Sequence, residues 1–443
     1  MENWVKVTLI LCAFGTLREI RPSEPFVSEF LLGEWRNVTE EQLTREVYPV
    51  GTYSYFALLV VVFLVTDFLR FNPVIIISGL SGIVVYAILL WTTSLEWLQA
   101  TQFLYGLYMA TEVAYFTYIY AKVDSEKYPL VTSYTRIGAL TGRFLSGLSS
   151  QLLIYFQLMN YRQLNYITFA AQILASFWAL WLPKVKYSIY FHRRTSTASE
   201  TKEANTPNTQ PIDLRYFHFN FQLSLKQRVF EACWLILRHA RAAYSRPRVV
   251  AWSAVYATSL ALYVQTQYYV QLLWIGIQKE NNLPSDYMSL NGAAEAATTL
   301  LGAGGAWLAA RCCHSVLPAL VSAAQALALL RAVLTTSLVE SYAGYVVTGV
   351  MFHYVITLAS AKIANQLADE SCFGLIFGIN TFIGTGLQSI LTLVLIQAID
   401  LSINVQYYVL SGLYLLQALV WLIGWVINKW IKRKAMFTLP KTS

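Results

Sequence analysis

Blocks of about 20 apolar residues recur along this chain of 443 residues, most of them joined by short polar connections. A block of that length crosses the hydrocarbon core of a bilayer as an α-helix. Water is absent at that depth, so each block must satisfy its own backbone N–H and C=O groups. Only 13% of the residues are charged and 56% are hydrophobic, whereas a soluble domain carries about 25% charged residues. The chain is expected to be an all-α polytopic membrane protein.

Twelve transmembrane spans are predicted, at approximately 4–32, 51–69, 73–93, 98–121, 129–156, 162–183, 249–275, 289–310, 314–335, 342–366, 372–398 and 404–430. The first block, Trp4–Leu17, lacks a basic leader and a small-residue cleavage pattern, and is read as half of a spanning helix. The first and fifth spans are long for a bilayer and are expected to be tilted or broken. The connection 184–248 divides the spans six and six. An N-terminal bundle (1–183), a basic linker (184–248), a C-terminal bundle (249–430) and a tail (431–443) follow. Two six-helix groups around a long inner loop is the plan of a major-facilitator transporter. Within the linker, Thr195–Pro211 is rich in Ser, Thr, Asn and Pro and reads as flexible, while Leu214–Ala243 reads as an amphipathic helix on the inner membrane surface.

The net charge of +8 is concentrated in places that exclude a nucleic-acid reading. Twelve Lys/Arg stand against four Asp/Glu between Lys184 and Arg248, and the tail adds Lys429, Lys432, Arg433, Lys434 and Lys441. Basic loops beside spans mark the cytoplasmic side and attract anionic lipid. Both termini are therefore expected inside. Asn37 of Asn37-Val38-Thr39 would then face outward, where it could accept a glycan. The five cysteines make no metal-ligand spacing and read as packing residues.

Glu112 sits in the tyrosine-rich stretch Phe103–Tyr120. A carboxylate at bilayer depth costs several kcal/mol unless paired or wetted, so it marks a ligand site or a buried ion pair. On an uninterrupted helix Tyr108, Glu112, Tyr115 and Ile119 share one face. A carboxylate between aromatic rings suits an organic cation. Glu24 lies in Arg21-Pro22-Ser23-Glu24-Pro25-Phe26, where two prolines must break or kink the first span. It is a second candidate for the cavity, or a partner of Arg21. Glu295, among small residues, reads as a gating or coupling group. Asp67 and Arg70, in Asp67-Phe68-Leu69-Arg70, could pair and lock one face of a carrier.

Arg136, Arg143 and Arg331 fall within spans and are expected to neutralise some of these carboxylates. The seventh span presents Tyr263, Gln265, Gln267, Tyr268, Tyr269, Gln271 and Trp274, and the eleventh Asn380, Thr381 and Gln388, which could bond a polar ring, line a wet pore or serve as ordinary helix–helix hydrogen bonds. His353 reads as a packing histidine. No nucleophile elbow, metalloprotease motif or phosphate loop occurs, so an enzyme is not expected and no cofactor is called for.

Several stretches together carry a resemblance: RPSEPF in the first span, TYSYF at 52–56, TDFLRFNPVII at 66–76, TEVAYFTYIY at 111–120, NGAAEAATTLLGA at 291–303 and FGINTFIG at 377–384. They are similar to the reduced-folate and thiamine carrier family, a plasma-membrane family of major-facilitator fold. The resemblance implies a basic residue at the place of Glu112 in the folate carrier and a glutamate in the thiamine carriers. Two further cations of the folate carrier would fall at Gly349 and Gln388. It also implies that Glu112 and Tyr115 hold an aminopyrimidine, with Glu24, Tyr134 and Tyr268 nearby. Gly51 replaces an aromatic, so a stacking wall is expected to be missing. The expected function is a monomeric secondary-active thiamine carrier. The alternatives are a folate-type anion carrier using Arg143 and Arg331, or a vitamin receptor without turnover.

Overall fold

The computed structural model describes residues 3–36, 38–123, 127–185, 190–191, 225–282, 289–311, 314, 316–367 and 373–438. Among them no strand occurs. The helices are α1 (Asn3–Glu19), α2 (Val27–Leu32), α3 (Glu40–Gln42), α4 (Tyr48–Phe68), α5 (Asn72–Trp91), α6 (Leu95–Ala110), α7 (Glu112–Lys122), α8 (Tyr128–Tyr155), α9 (Tyr161–Ala179), α10 (Leu225–Tyr244), α11 (Pro247–Glu280), α12 (Asn291–Arg311), α13 (Leu317–Leu334), α14 (Leu338–Ala364), α15 (Phe373–Thr392) and α16 (Ile403–Thr438). Seven helical segments among the described residues are long and apolar enough to cross a bilayer. Asn37 lies outside the described residues.

Polarity is distributed as a lipid solvent demands. Leu174 and Phe177 of α9 and Leu415, Leu419, Ile423 and Ile427 of α16 face outward, whereas Gln265, Gln325 and Asn380 are fully buried. Each of these polar groups ties helices together. Thr392 donates to Gln265 at 3.0 Å, Gln325 donates to the Thr348 carbonyl at 3.1 Å, and Tyr244 donates to Asn380 at 2.7 Å. Such bonds contribute about 0.6–2 kcal/mol each in a membrane protein.

Helices α1–α9 and α11–α16 form two groups that meet along α4 with α15 and α8 with α12. Small residues make the second contact close. A Cβ on Gly147 would stand 2.7 Å from the Gly292 carbonyl oxygen and 2.8 Å from the Ala296 nitrogen, so neither glycine admits a side chain without parting the helices. On the first contact, Phe56 stacks on Phe382 with centroids 4.7 Å apart.

The first span is interrupted as its prolines require. α1 ends at Glu19, a single 3₁₀ turn covers Glu24–Phe26, and α2 follows. The fifth span, expected to be tilted or broken, is one continuous helix, α8. The fourth, read as uninterrupted, tightens at Thr111, where Ala114 N–H bonds three residues back to the Thr111 carbonyl. The Asp67–Arg70 pair does not form. Asp67 instead accepts the backbone N–H groups of Tyr190 and Phe191 at 3.0 and 2.7 Å, while Arg70 and Phe71 adopt positive φ in the tight turn to α5. A carboxylate close to two backbone donors of the 190–191 segment has a better partner than an exposed arginine on a long, flexible stem. Of the amphipathic helix expected at Leu214–Ala243, residues 214–224 lie outside the described residues and the rest is α10 (Leu225–Tyr244), whose Ala232, Leu235 and Ile236 pack on Tyr190, Phe191 and Leu375.

Gly147→Leu should wedge α8 from α12. The expected loss is about 1–3 kcal/mol, read as a lower melting temperature of the purified protein, with Gly304→Leu, which meets open space, as the neutral control.

Candidate functional site

A cavity of about 360 Å³ lies between the two groups of helices, within the range that holds a small organic ligand. Its charged lining consists of Glu19, Glu24, Glu112, Arg21, Arg143 and Glu295. The arrangement starts from the end of α1. Helix termination frees carbonyls, and the Arg18 carbonyl is taken up by Tyr108 Oη at 3.0 Å and Gln172 Nε2 at 3.1 Å. This fixes the place where Arg18, Glu19 and Arg21 turn inward.

Glu19 is the hub. Its Oε2 accepts from Arg21 Nη2 and Arg143 Nε, both at 2.6 Å, and its Oε1 accepts from Arg18 Nη1 at 2.9 Å. The carboxylate is 2% exposed, so three guanidiniums surround one buried anion. Arg18 also lies 4.3 Å over the Tyr108 ring. Arg21 spans the gap to Glu24, whose Oε1 in addition accepts from Tyr105 Oη at 3.0 Å. Glu112 has a much weaker hold, with Arg18 Nη1 at 4.0 Å and nothing shorter among the ion pairs of the described residues. Glu295, from α12, accepts the Tyr345 hydroxyl at 2.6 Å and makes no ion pair among the described residues. Four carboxylates thus meet three guanidiniums, and the uncompensated charge rests on Glu112 and Glu295.

Another part of the lining is aromatic and amide-rich. Tyr105, Tyr86, Tyr268, Gln267 and Gln271 line it. Tyr263 stacks on Phe352 at 4.0 Å between centroids, with His353 edge-on. Gly51 leaves no void, because a Cβ there would stand 2.6 Å from Gln102 Oε1 and Gln102 occupies that part of the wall. At Gly349 a side chain would meet Thr298 and Tyr263, so a long cation has no room there.

The structure brings Glu24, Glu112, Tyr268 and Glu295 onto one cavity. Two expected contacts are not on its wall. Tyr115 is buried and donates to the Leu11 carbonyl at 3.0 Å, bolting α7 to α1 where Gly15 leaves space for its hydroxyl. Tyr134 projects from the outside of α8, 46% exposed. The tightening at Thr111 and the demand of α1 carbonyls for donors separate Tyr108 and Tyr115 from Glu112. Arg331 pairs with Glu340 at 2.8 Å, at the end of α13 and outside the cavity lining. The sequence reading missed Glu19 and Arg18. Four charges within the seven residues Arg18–Glu24 of a span were the available signal, since charges at that depth require partners.

The sequence profile described as reduced folate carrier matches residues 2–409. The chain is 33% identical to thiamine transporter 2 of Macaca fascicularis, over 94% of this chain and 90% of that one. It is 30% identical to the reduced folate transporter of Homo sapiens, over 97% and 73%. Among solved structures it is similar to the POT family transporter PepTSo, with a TM-score of 0.65, 13% identity, and 95% and 98% coverage. That likeness shows the fold alone.

Glu19→Gln leaves three clustered guanidiniums without their shared anion. Breaking a buried pair costs about 3–5 kcal/mol, so this variant should melt far below the wild type or fail to accumulate. Glu112→Gln removes only a long contact and should melt within about 1 kcal/mol of the wild type.

Proposed function

We propose that this chain, a membrane carrier that belongs to the reduced folate carrier family, moves thiamine or a close organic cation by alternating access. The observation that carries this reading is Glu112, a cavity carboxylate with one cation no nearer than 4.0 Å. A cationic ring beside it completes the charge balance. At about 4 Å and an effective dielectric near 20 such a pair is worth about 4 kcal/mol before desolvation. Tyr268 and Tyr105 offer ring faces, and Glu24 a second acceptor for an aminopyrimidine. Arg143, an obstacle to a cation if unpaired, is neutralised by Glu19. In the same reading twelve spans in two groups of six cross the plasma membrane with both termini inside, the carrier acts as a monomer, and Glu295, with Asp67 and Arg70 at the α4–α5 turn, serves gating or coupling.

One observation favours a second reading. Arg143 is 40% exposed, and only its Nε is engaged by Glu19, so the rest of its guanidinium faces the cavity as a donor edge for an anion. A folate-type dianion would need that edge, yet it would also meet Glu24, Glu112 and Glu295, which is costly in a dry site.

Uptake of labelled thiamine by cells expressing the chain separates the two. Saturable uptake, blocked by unlabelled thiamine and not by folate, with KM raised at least about tenfold in Glu112→Gln, is the expected result. Folate uptake that survives Glu112→Gln and fails in Arg143→Ala would establish the anion carrier.

A further inference from the structure

Glu29 of α2 stands in the seam between the two groups of helices and is not part of the cavity lining. Its Oε1 accepts from Asn291 Nδ2 at 2.5 Å, while its Oε2 is shielded from solvent and makes no hydrogen bond of ordinary length, the Ser289 hydroxyl facing the carboxyl group from farther off. Asn291 is fixed from both sides. It donates to the Pro25 carbonyl at 2.9 Å and its Oδ1 accepts from the Tyr342 hydroxyl at 2.9 Å, so it offers Glu29 a donor and nothing else.

The polar groups facing Glu29 are Tyr48 of α4, Tyr161 of α9, and Ser289 and Asn291 at the start of α12. From α11, Gln271 bonds the backbone of Ser28 and of Glu24. On the preceding turn the Glu24 carboxylate is occupied by Arg21 and Tyr105. No ion pair among the described residues includes Glu29.

Two exposed ion pairs join the two groups at this end of the seam, Glu40 with Lys279 and Arg45 with Asp400, each at 2.8 Å. Parting the groups here separates α2 from α11 and α12 and admits water to Glu29. We propose that Glu29 is a proton-binding site of this seam, carrying its proton while the seam is closed and releasing it to water when the seam opens. A carboxylate anion with one oxygen shielded from water and no cation partner among the described residues is disfavoured relative to the hydrated group, which ionises freely. Closing therefore takes up one proton. Acid on this side favours the closed state and alkali the open one. The proton enters and leaves by the same face, so it sets the closed fraction without driving flux.

The site is tested without any substrate, so its outcome does not depend on the thiamine reading. Glu40→Cys with Lys279→Cys is cross-linked in cell membranes by a short bis-methanethiosulfonate reagent, and the linked peptide is quantified by mass spectrometry. Thiol reactivity itself falls in acid, so the reading is the ratio of the wild-type Glu29 background to Glu29→Gln at each pH. The uncharged amide of Glu29→Gln mimics the protonated carboxyl at every pH. That ratio should therefore fall several-fold between about pH 5.5 and about pH 8, the closing equilibrium changing by up to about tenfold per pH unit. Glu29→Asp, which keeps an ionisable group, should retain the pH response and so confirms that position 29 tolerates change. A ratio that stays flat with pH overturns the proposal, as does a response in Glu29→Gln equal to that of Glu29.

Discussion

Lipid offers no partner to a charge, so every ionised group at bilayer depth must be paired within the protein or face a wet cavity. In this chain that requirement converges on Glu19, which holds Arg18, Arg21 and Arg143 through its two oxygens. The three arginines come from the broken first span and from α8, and they also reach toward Glu24 and Glu112. Remove the hub, and the cations that shape the cavity lose their reason to sit together. The residual charge of the cavity follows from the same balance, because three guanidiniums cannot neutralise four carboxylates.

Backbone irregularity places these groups. The prolines at 22 and 25 end α1 early, and the carbonyl of Arg18 then draws Tyr108 and Gln172 toward it. Tyr108 and Tyr115 are thereby committed to holding α6 and α7 against α1, which leaves Glu112 to face the cavity with little company. The glycines of α8 and α12 bring the two groups of helices close enough for residues of both to line one space. The cavity is thus a product of helix breaks and small residues, and its aromatic lining comes from α4, α5, α6, α11 and α14.

The sequence showed which residues are out of place in a membrane, and most of them proved to be on the cavity. Glu24, Glu112 and Glu295 were legible because a carboxylate in an apolar block is expensive, and the prolines announced the first break. Tyr115 and Tyr134 lie off the cavity lining, because helical spacing assigns residues to a face without saying which neighbour covers that face. Glu19 was passed over because it sits beside arginines, where a carboxylate reads as local pairing. Asp67 found backbone donors from a segment more than a hundred residues away, which no local motif could reveal.

What the sequence determined by itself was the solvent and the element type. Apolar blocks of bilayer length must be helices, and the rare charges within them must be gathered inside. The tertiary structure alone decided which charges meet. Arg143 is bound to Glu19 across 124 positions, Glu29 is left without a cation in the seam, and Glu112 keeps the weakest hold. Those outcomes depend on where helices cross within a few ångströms, and an electrostatic contact changes from strong to negligible over that distance.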